Sequence, residues 1–123
     1  MTTIEEIEGM REPDPGPGAT TLIRRCTELR RKPVAGFTAE DLRIMLGQRI
    51  AVPILLPRAV DVLVRDPPAS GDMYTGDLLT TVLRLPDTDW PAGLRDRLST
   101  ALRGVRLPGS DLRRALAAFL DAG

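Results

Sequence analysis

The sequence predicts an all-α protein, a compact single-domain bundle of about six short helices, on three observations. Apolar residues recur at helical spacing in six segments. Proline and glycine punctuate the gaps between them, and the clean alternation of apolar with polar residues that marks a half-buried strand occurs nowhere. A chain of 123 residues suits one domain and is long enough to hold a core without disulfides or metal clips. Aromatic residues make up only 3% of it, so leucine, valine and isoleucine must fill that core.

Ile4, Ile7 and Met10 recur at i, i+3 and i+6 behind Thr3, which predicts a short helical turn docking its apolar side on the body. Residues 11–19, Arg-Glu-Pro-Asp-Pro-Gly-Pro-Gly-Ala, can neither propagate a helix nor pair centrally in a sheet. Residues 1–18 therefore read as an N-terminal turn and Pro/Gly-rich linker, and residues 19–123 as the helical domain. From Thr20 or Thr21 a helix runs to about Lys32, where Pro33 stops it. Leu22, Ile23, Cys26 and Leu29 form its apolar stripe, and Arg30 and Arg31 suit the negative end of its dipole. Thr38 caps the next helix, with Glu40 and Asp41 in its first turn, Leu42, Met45 and Leu46 on its buried face, and Gly47 closing it.

Residues 50–64 are the most apolar stretch. Their β-branched residues favour a strand, but Pro53 and Pro57 would each remove a ladder hydrogen bond, so a core helix is expected, starting near Pro53 or kinked at Pro57 and ending before Pro67-Pro68. After a loop from Asp66 to Gly76, Asp77 caps a helix carrying Leu78, Leu79, Val82, Leu83 and Leu85, ended by Pro86. Asp89-Trp90-Pro91 initiates another, with Leu94, Leu98, Ala101 and Leu102 inward. Ser110-Asp111 caps the last, with Leu112, Leu116, Phe119 and Leu120 periodic to near the end.

Composition narrows function by exclusion. The chain has no histidine, which removes the commonest general base and metal ligand, and its single Cys26 reads as a small apolar residue of a reducing compartment. Seventeen basic and 17 acidic residues cancel, which disfavours direct nucleic-acid binding. The 38–46 helix, its turn and the helix after it have the length of a helix-turn-helix, but the second helix is too apolar to read a groove. No apolar run is long enough for a membrane span, and the acidic start does not resemble a signal peptide, so a cytoplasmic protein is expected.

Zero net charge conceals alternating blocks: −4 over residues 1–18, +5 over 19–60, −4 over 61–92 and +3 over 93–123. Either the blocks pair with each other and face water, or the 61–92 block is an acidic face offered to a basic partner. The only dense polar constellation is Gly71-Asp72-Met73-Tyr74-Thr75-Gly76-Asp77. It lacks the alternating acids and closing glutamate of a calcium loop, so neither metal nor cofactor is expected, and catalysis is not. Two readings of it stay open. In one, Asp77 caps, the glycines turn the chain and Tyr74 covers the core edge; in the other, the same rigid acidic loop is a protein-binding surface.

The order Thr38-Ala39-Glu40-Asp41-Leu42-Arg43, Gly47-Gln48, Leu56-Pro57, Ala59-Val60, Asp66-Pro67 and Gly71-Asp72-x-Tyr74-x-Gly76-Asp77-Leu78-Leu79 resembles the immunity proteins of contact-dependent growth inhibition (CDI) systems over about residues 20–85. The stretch Cys26-Thr27-Glu28 lacks a histidine expected after the cysteine, and Met73 departs from the pattern. The resemblance implies a helical, non-enzymatic cytoplasmic protein that binds and blocks a toxin domain delivered by a neighbouring cell, often a nuclease. An acidic surface suits the basic cleft of a nuclease, which makes Asp61, Asp66, Asp72, Tyr74 and Asp77, joined by Glu40 and Asp41, the candidate toxin-binding residues. A small helical adaptor that homo-oligomerises through the 50–64 helix or the C-terminal helix is the alternative. A metal-dependent hydrolase built on Asp72 and Asp77 is a third class.

Overall fold

A computed structural model describes residues 2–11, 13–105, 107 and 109–122. Among them the chain forms seven α-helices, α1 (Ile4–Glu8), α2 (Thr21–Arg30), α3 (Ala39–Gly47), α4 (Val52–Arg65), α5 (Asp77–Leu83), α6 (Leu94–Leu102) and α7 (Ser110–Ala122). Single 3-10 turns lie at Val34–Gly36 and Asp87–Asp89, and the described residues contain no strand. Glu12 of the linker lies outside the described residues.

The apolar 50–64 stretch becomes the axis of the bundle. Leu55, Leu56, Ala59, Val60 and Leu63 of α4 are fully buried, and α3, α5 and α6 pack around them, while α2 lies on α3 and α7 on α5. The helix runs through Pro57, which is half-buried, and the Pro53 carbonyl that loses its amide donor belongs to an exposed residue. Leu29, Leu42, Met45, Leu78, Leu98 and Leu116 join the same core cluster. The apolar faces of α4 and α7, which an oligomer would need, are thus consumed within one chain.

Local chemistry accounts for the helix starts. Thr3 and Thr20 each accept a hydrogen bond at their hydroxyl oxygen from the amide three residues on, at 3.2 and 3.1 Å. Thr38 and Asp41 form a reciprocal capping box, the Asp41 amide donating to Thr38 Oγ1 at 3.2 Å and the Thr38 amide to Asp41 Oδ2 at 3.0 Å. The reversal from α3 into α4 is not made by Gly47, which is still helical. Arg49 and Ala51 take the left-handed conformation instead, at φ 54° and 53°.

Several element boundaries differ from expectation for identifiable reasons. Asp77 is the first residue of α5 rather than its cap; Gly76, at φ +81°, is the cap. The segment Asp87–Asp89 is a 3-10 turn, and α6 starts only at Leu94 behind Gly93, because Pro91 follows Trp90 before the chain can turn. Leu85 is buried beyond the end of α5, not on it. On α2 only Cys26 and Leu29 are buried, and Leu22 and Ile23 stand exposed in the first turn, as do Ile7 and Met10 of the N-terminal segment. Among the described residues Ile4 is the apolar side chain of α1 that lies wholly in the core.

The alternating charge blocks pair with each other. Acids of the first block meet the basic end of α2, with Asp14 at 2.6 Å and Glu5 at 3.4 Å from Arg31, and Glu8 at 3.4 Å from Arg30. In the 61–92 block, Asp61 pairs with Arg97, Asp77 with Arg43, Asp87 with Arg95 and Asp89 with Arg49. Asp66 and Asp72 are the two aspartates of this block without an ion pair among the described residues.

Candidate functional site

The loop from Asp66 to Gly76 is held against the start of α3 by a small network of charged groups. Glu40 receives Arg43 in a two-point contact, Nε to Oε1 at 2.5 Å and Nη2 to Oε2 at 2.9 Å, and Glu40 Oε1 also accepts the Asp72 amide at 3.2 Å. The Arg43 guanidinium holds the Glu40 carboxyl below its ordinary range, with the Asp72 amide adding to the effect and burial opposing it. Arg43 also lies 3.6 Å from Asp77 Oδ2, so one guanidinium bridges the starts of α3 and α5.

Asp77 is 1% exposed and organises the loop from beneath. Its Oδ1 accepts the Gly71 amide at 2.6 Å, and its Oδ2 accepts the amides of Met73 at 3.0 Å and Tyr74 at 3.4 Å. In return its own amide donates to the Tyr74 carbonyl at 3.0 Å. The carboxylate points back into the loop instead of capping the helix that follows. With its oxygens taken by three backbone donors and Arg43 at hand, it is not arranged as a cation ligand.

Both motif glycines are explained by what a side chain would strike. A Cβ on Gly71 would lie 2.9 Å from the Glu40 Cα, so only glycine lets the loop seat on α3. At Gly76 the backbone is left-handed and a Cβ would stand 2.6 Å from Leu112 Cδ2, so α7 packs directly against the loop's end. Tied at both ends and along its middle, the loop presents Asp72, Met73 and Tyr74 outward; Met73 and Tyr74 are 66% and 54% exposed.

Of the sequence-derived candidates, the structure brings together Glu40, Asp41, Asp72, Tyr74 and Asp77. A shallow cleft beside the loop is lined by Arg25, Lys32, Thr38, Asp41, Ser70 and Asp72. Asp41, 1% exposed, is enclosed by Arg25 at 3.0 Å, Lys32 at 2.5 Å and the Thr38 amide. Burial raises its pKa, but the Lys32 and Thr38 hydrogen bonds and the two cations outweigh this and set it below the ordinary range. Asp66 is exposed at the C-terminal end of α4, where the loop begins. Asp61 stands apart, half exposed on α4 in a surface pair with Arg97 of α6 at 2.5 Å.

Arg43 and Met73 were not among the sequence-derived candidates. Arg43 was signalled by its i,i+3 spacing from Glu40, and Met73 by an apolar residue inside an otherwise polar loop. A second cluster, formed by Trp90, Arg95 and Phe119, fastens α7. The Arg95 guanidinium lies over the Phe119 ring at 3.9 Å and donates to the Phe119 carbonyl at 2.8 Å, and the two rings meet at 5.3 Å. Cys26 is buried, and burial pushes its thiol pKa up, away from thiolate chemistry. Among the described residues no helix is long and apolar enough to cross a membrane, and there is no group of three or more possible metal-ligating acids or cysteines.

The family profile of the CDI immunity proteins matches residues 6–97, from within α1 to within α6 and across the whole loop. No curated protein matches the chain.

Proposed function

The chain belongs to the CDI immunity proteins, non-enzymatic inhibitors each matched to a toxin, and from that premise we propose that it neutralises the C-terminal toxin domain of its cognate system through the surface of loop 70–76. The observation that carries this reading is the combination of outward Asp72, Met73 and Tyr74 on a backbone already fixed by Asp77 and Glu40. A fixed loop carrying an aromatic anchor loses little entropy on docking.

Asp72 and Tyr74 make the direct contacts, with Asp66 at the edge of the same loop. Glu40 and Asp77 contribute from underneath by holding the loop backbone, Asp41 fixes the start of α3 beside it, and Asp61, neutralised by Arg97, lies outside the contact surface. Asp66 and Asp72, free of internal ion pairs among the described residues, favour a toxin with a cationic cleft. A nuclease has such a cleft because it must hold a phosphate backbone. The inhibitor acts in the cytoplasm, where such a toxin meets its substrate.

Asp72→Ala and Tyr74→Ala test this surface. Each variant weakens binding to the purified toxin domain at least tenfold while its melting curve stays near that of the parent, since both side chains are exposed. Unchanged affinity in both places the interface elsewhere on the molecule.

A further inference from the structure

We propose that Asp77 is a positioning residue for partner binding: buried beneath loop 70–76, it sets the presentation of Tyr74 without touching the partner. This rests on the reading of that loop as the toxin-binding surface. Three successive features support it. The amides of Gly71, Met73 and Tyr74 converge on one carboxylate, so the backbone on both sides of Asp72 and at the root of Tyr74 is fixed by a single side chain. The Asp77 amide closes a ring with the Tyr74 carbonyl at 3.0 Å, which pins Tyr74 from its other backbone group. Arg43 then couples the carboxylate to Glu40, whose Oε1 holds the Asp72 amide, so the loop is fastened to α3 and α5 through the same charged cluster.

None of these bonds is needed to start α5. Gly76 in its left-handed conformation begins the helix, and the Asp77 carboxylate makes no cap bond to it. A helix-capping aspartate would turn its oxygens toward the amides of its own first turn. This one turns them toward the exposed loop, where their effect is to hold the backbone that carries Tyr74 in one place before the partner arrives. An asparagine here keeps the size but has one acceptor oxygen and one NH₂ group. One end of the amide then faces amide donors it cannot accept, and the loop is released on that side.

The test is a double-mutant cycle between Asp77→Asn and Tyr74→Ala, read as the affinity for the purified, catalytically disabled toxin domain of its cognate system. Hydrogen exchange at Gly71, Met73 and Tyr74 is followed in parallel. The expected result is that Asp77→Asn accelerates exchange at those three amides and raises Kd about tenfold when Tyr74 is present, but by less than about twofold when Tyr74 is already alanine. A role confined to global stability gives the same loss in both backgrounds and overturns the proposal. If neither Tyr74→Ala nor Asp72→Ala changes Kd, the reading of the loop as the interface fails; if Asp72→Ala weakens binding and Tyr74→Ala does not, that reading stands and the positioning of Tyr74 is overturned. If Tyr74→Ala weakens binding and a folded Asp77→Asn does not, that reading stands and the positioning role is lost. Should Asp77→Asn fail to fold, Asp77→Glu takes its place in the cycle, because it keeps the charge beside Arg43 but displaces the acceptor oxygens from the three loop amides. The same additive result then overturns the proposal.

Discussion

Replacing Asp41 by alanine removes one buried carboxylate that serves three donors at once: Arg25 at 3.0 Å, Lys32 at 2.5 Å and the Thr38 amide at 3.0 Å. A fully buried pair broken on one side costs roughly 3–5 kcal/mol. That figure must be reduced here, because the Arg25 and Lys32 side chains retain 43% and 34% exposure and can rehydrate, which leaves about 0.5–1 kcal/mol for each ion pair. Loss of the reciprocal cap with Thr38 adds about 1 kcal/mol. The sum is about 2–3 kcal/mol, or close to 10 °C in Tm for a chain of this size. Urea titration and thermal melting of Asp41→Ala against the parent at pH 7 measure it.

The pH dependence of the same variant has a definite sign. The folded-state pKa of Asp41 lies below that of an unfolded aspartate, so its contribution is fully present above the unfolded value of about 3.9. It is lost as pH falls through the lower, folded value. The stability gap between parent and Asp41→Ala is therefore constant from pH 7 to about pH 5 and narrows only below about pH 4. A loss under about 0.5 kcal/mol at pH 7, or a gap that persists undiminished at pH 2.5, refutes the account of Asp41 as an ionised carboxylate held by Arg25, Lys32 and the Thr38 amide.

Gly76→Ala combines a left-handed backbone with a Cβ 2.6 Å from Leu112 Cδ2, and is expected to cost about 1–3 kcal/mol in urea unfolding. A cost near zero places α7 differently from the packing described. Arg95→Ala removes the donor to the Phe119 carbonyl and the cation stacked on its ring, with an expected loss of about 1–2 kcal/mol. Hydrogen exchange should accelerate in α7 before the rest of the bundle. Arg95→Lys should restore only part of the protection, because an ammonium reproduces neither the planar stack nor the fork of donors.

What was legible in the sequence follows from how local each determinant is. The α3 start is written in four consecutive residues, since Thr38 and Asp41 reciprocate across a single turn, and the capping box is present as expected. The long apolar run became the buried axis because Pro53 and Pro57 exclude a central strand more firmly than β-branched residues favour one. Asp77 resisted the same logic. An aspartate ahead of Leu78-Leu79 looks like a cap, yet the helix starts from the conformation of Gly76, and the carboxylate is turned backward by three amides of the preceding loop. Leu22 and Ile23 fit the apolar periodicity of α2, but both remain exposed, with the 13–17 linker the neighbour of that first turn among the described residues, and periodicity alone cannot show where a neighbour ends. Arg49 and Asp89 lie 40 residues apart and meet through two bonds of 2.8 Å that no local pattern announces. Such pairs are why the acidic block, conspicuous in sequence, is largely neutralised in the fold, leaving Asp66 and Asp72 to carry the charge of the candidate surface.

The most direct measurement is co-expression of this chain with the toxin domain of its cognate system, followed by co-purification and growth of the host cells. A stable stoichiometric complex together with restored growth is the expected result. Two folded proteins that neither associate nor restore growth contradict the proposal that this chain neutralises that toxin.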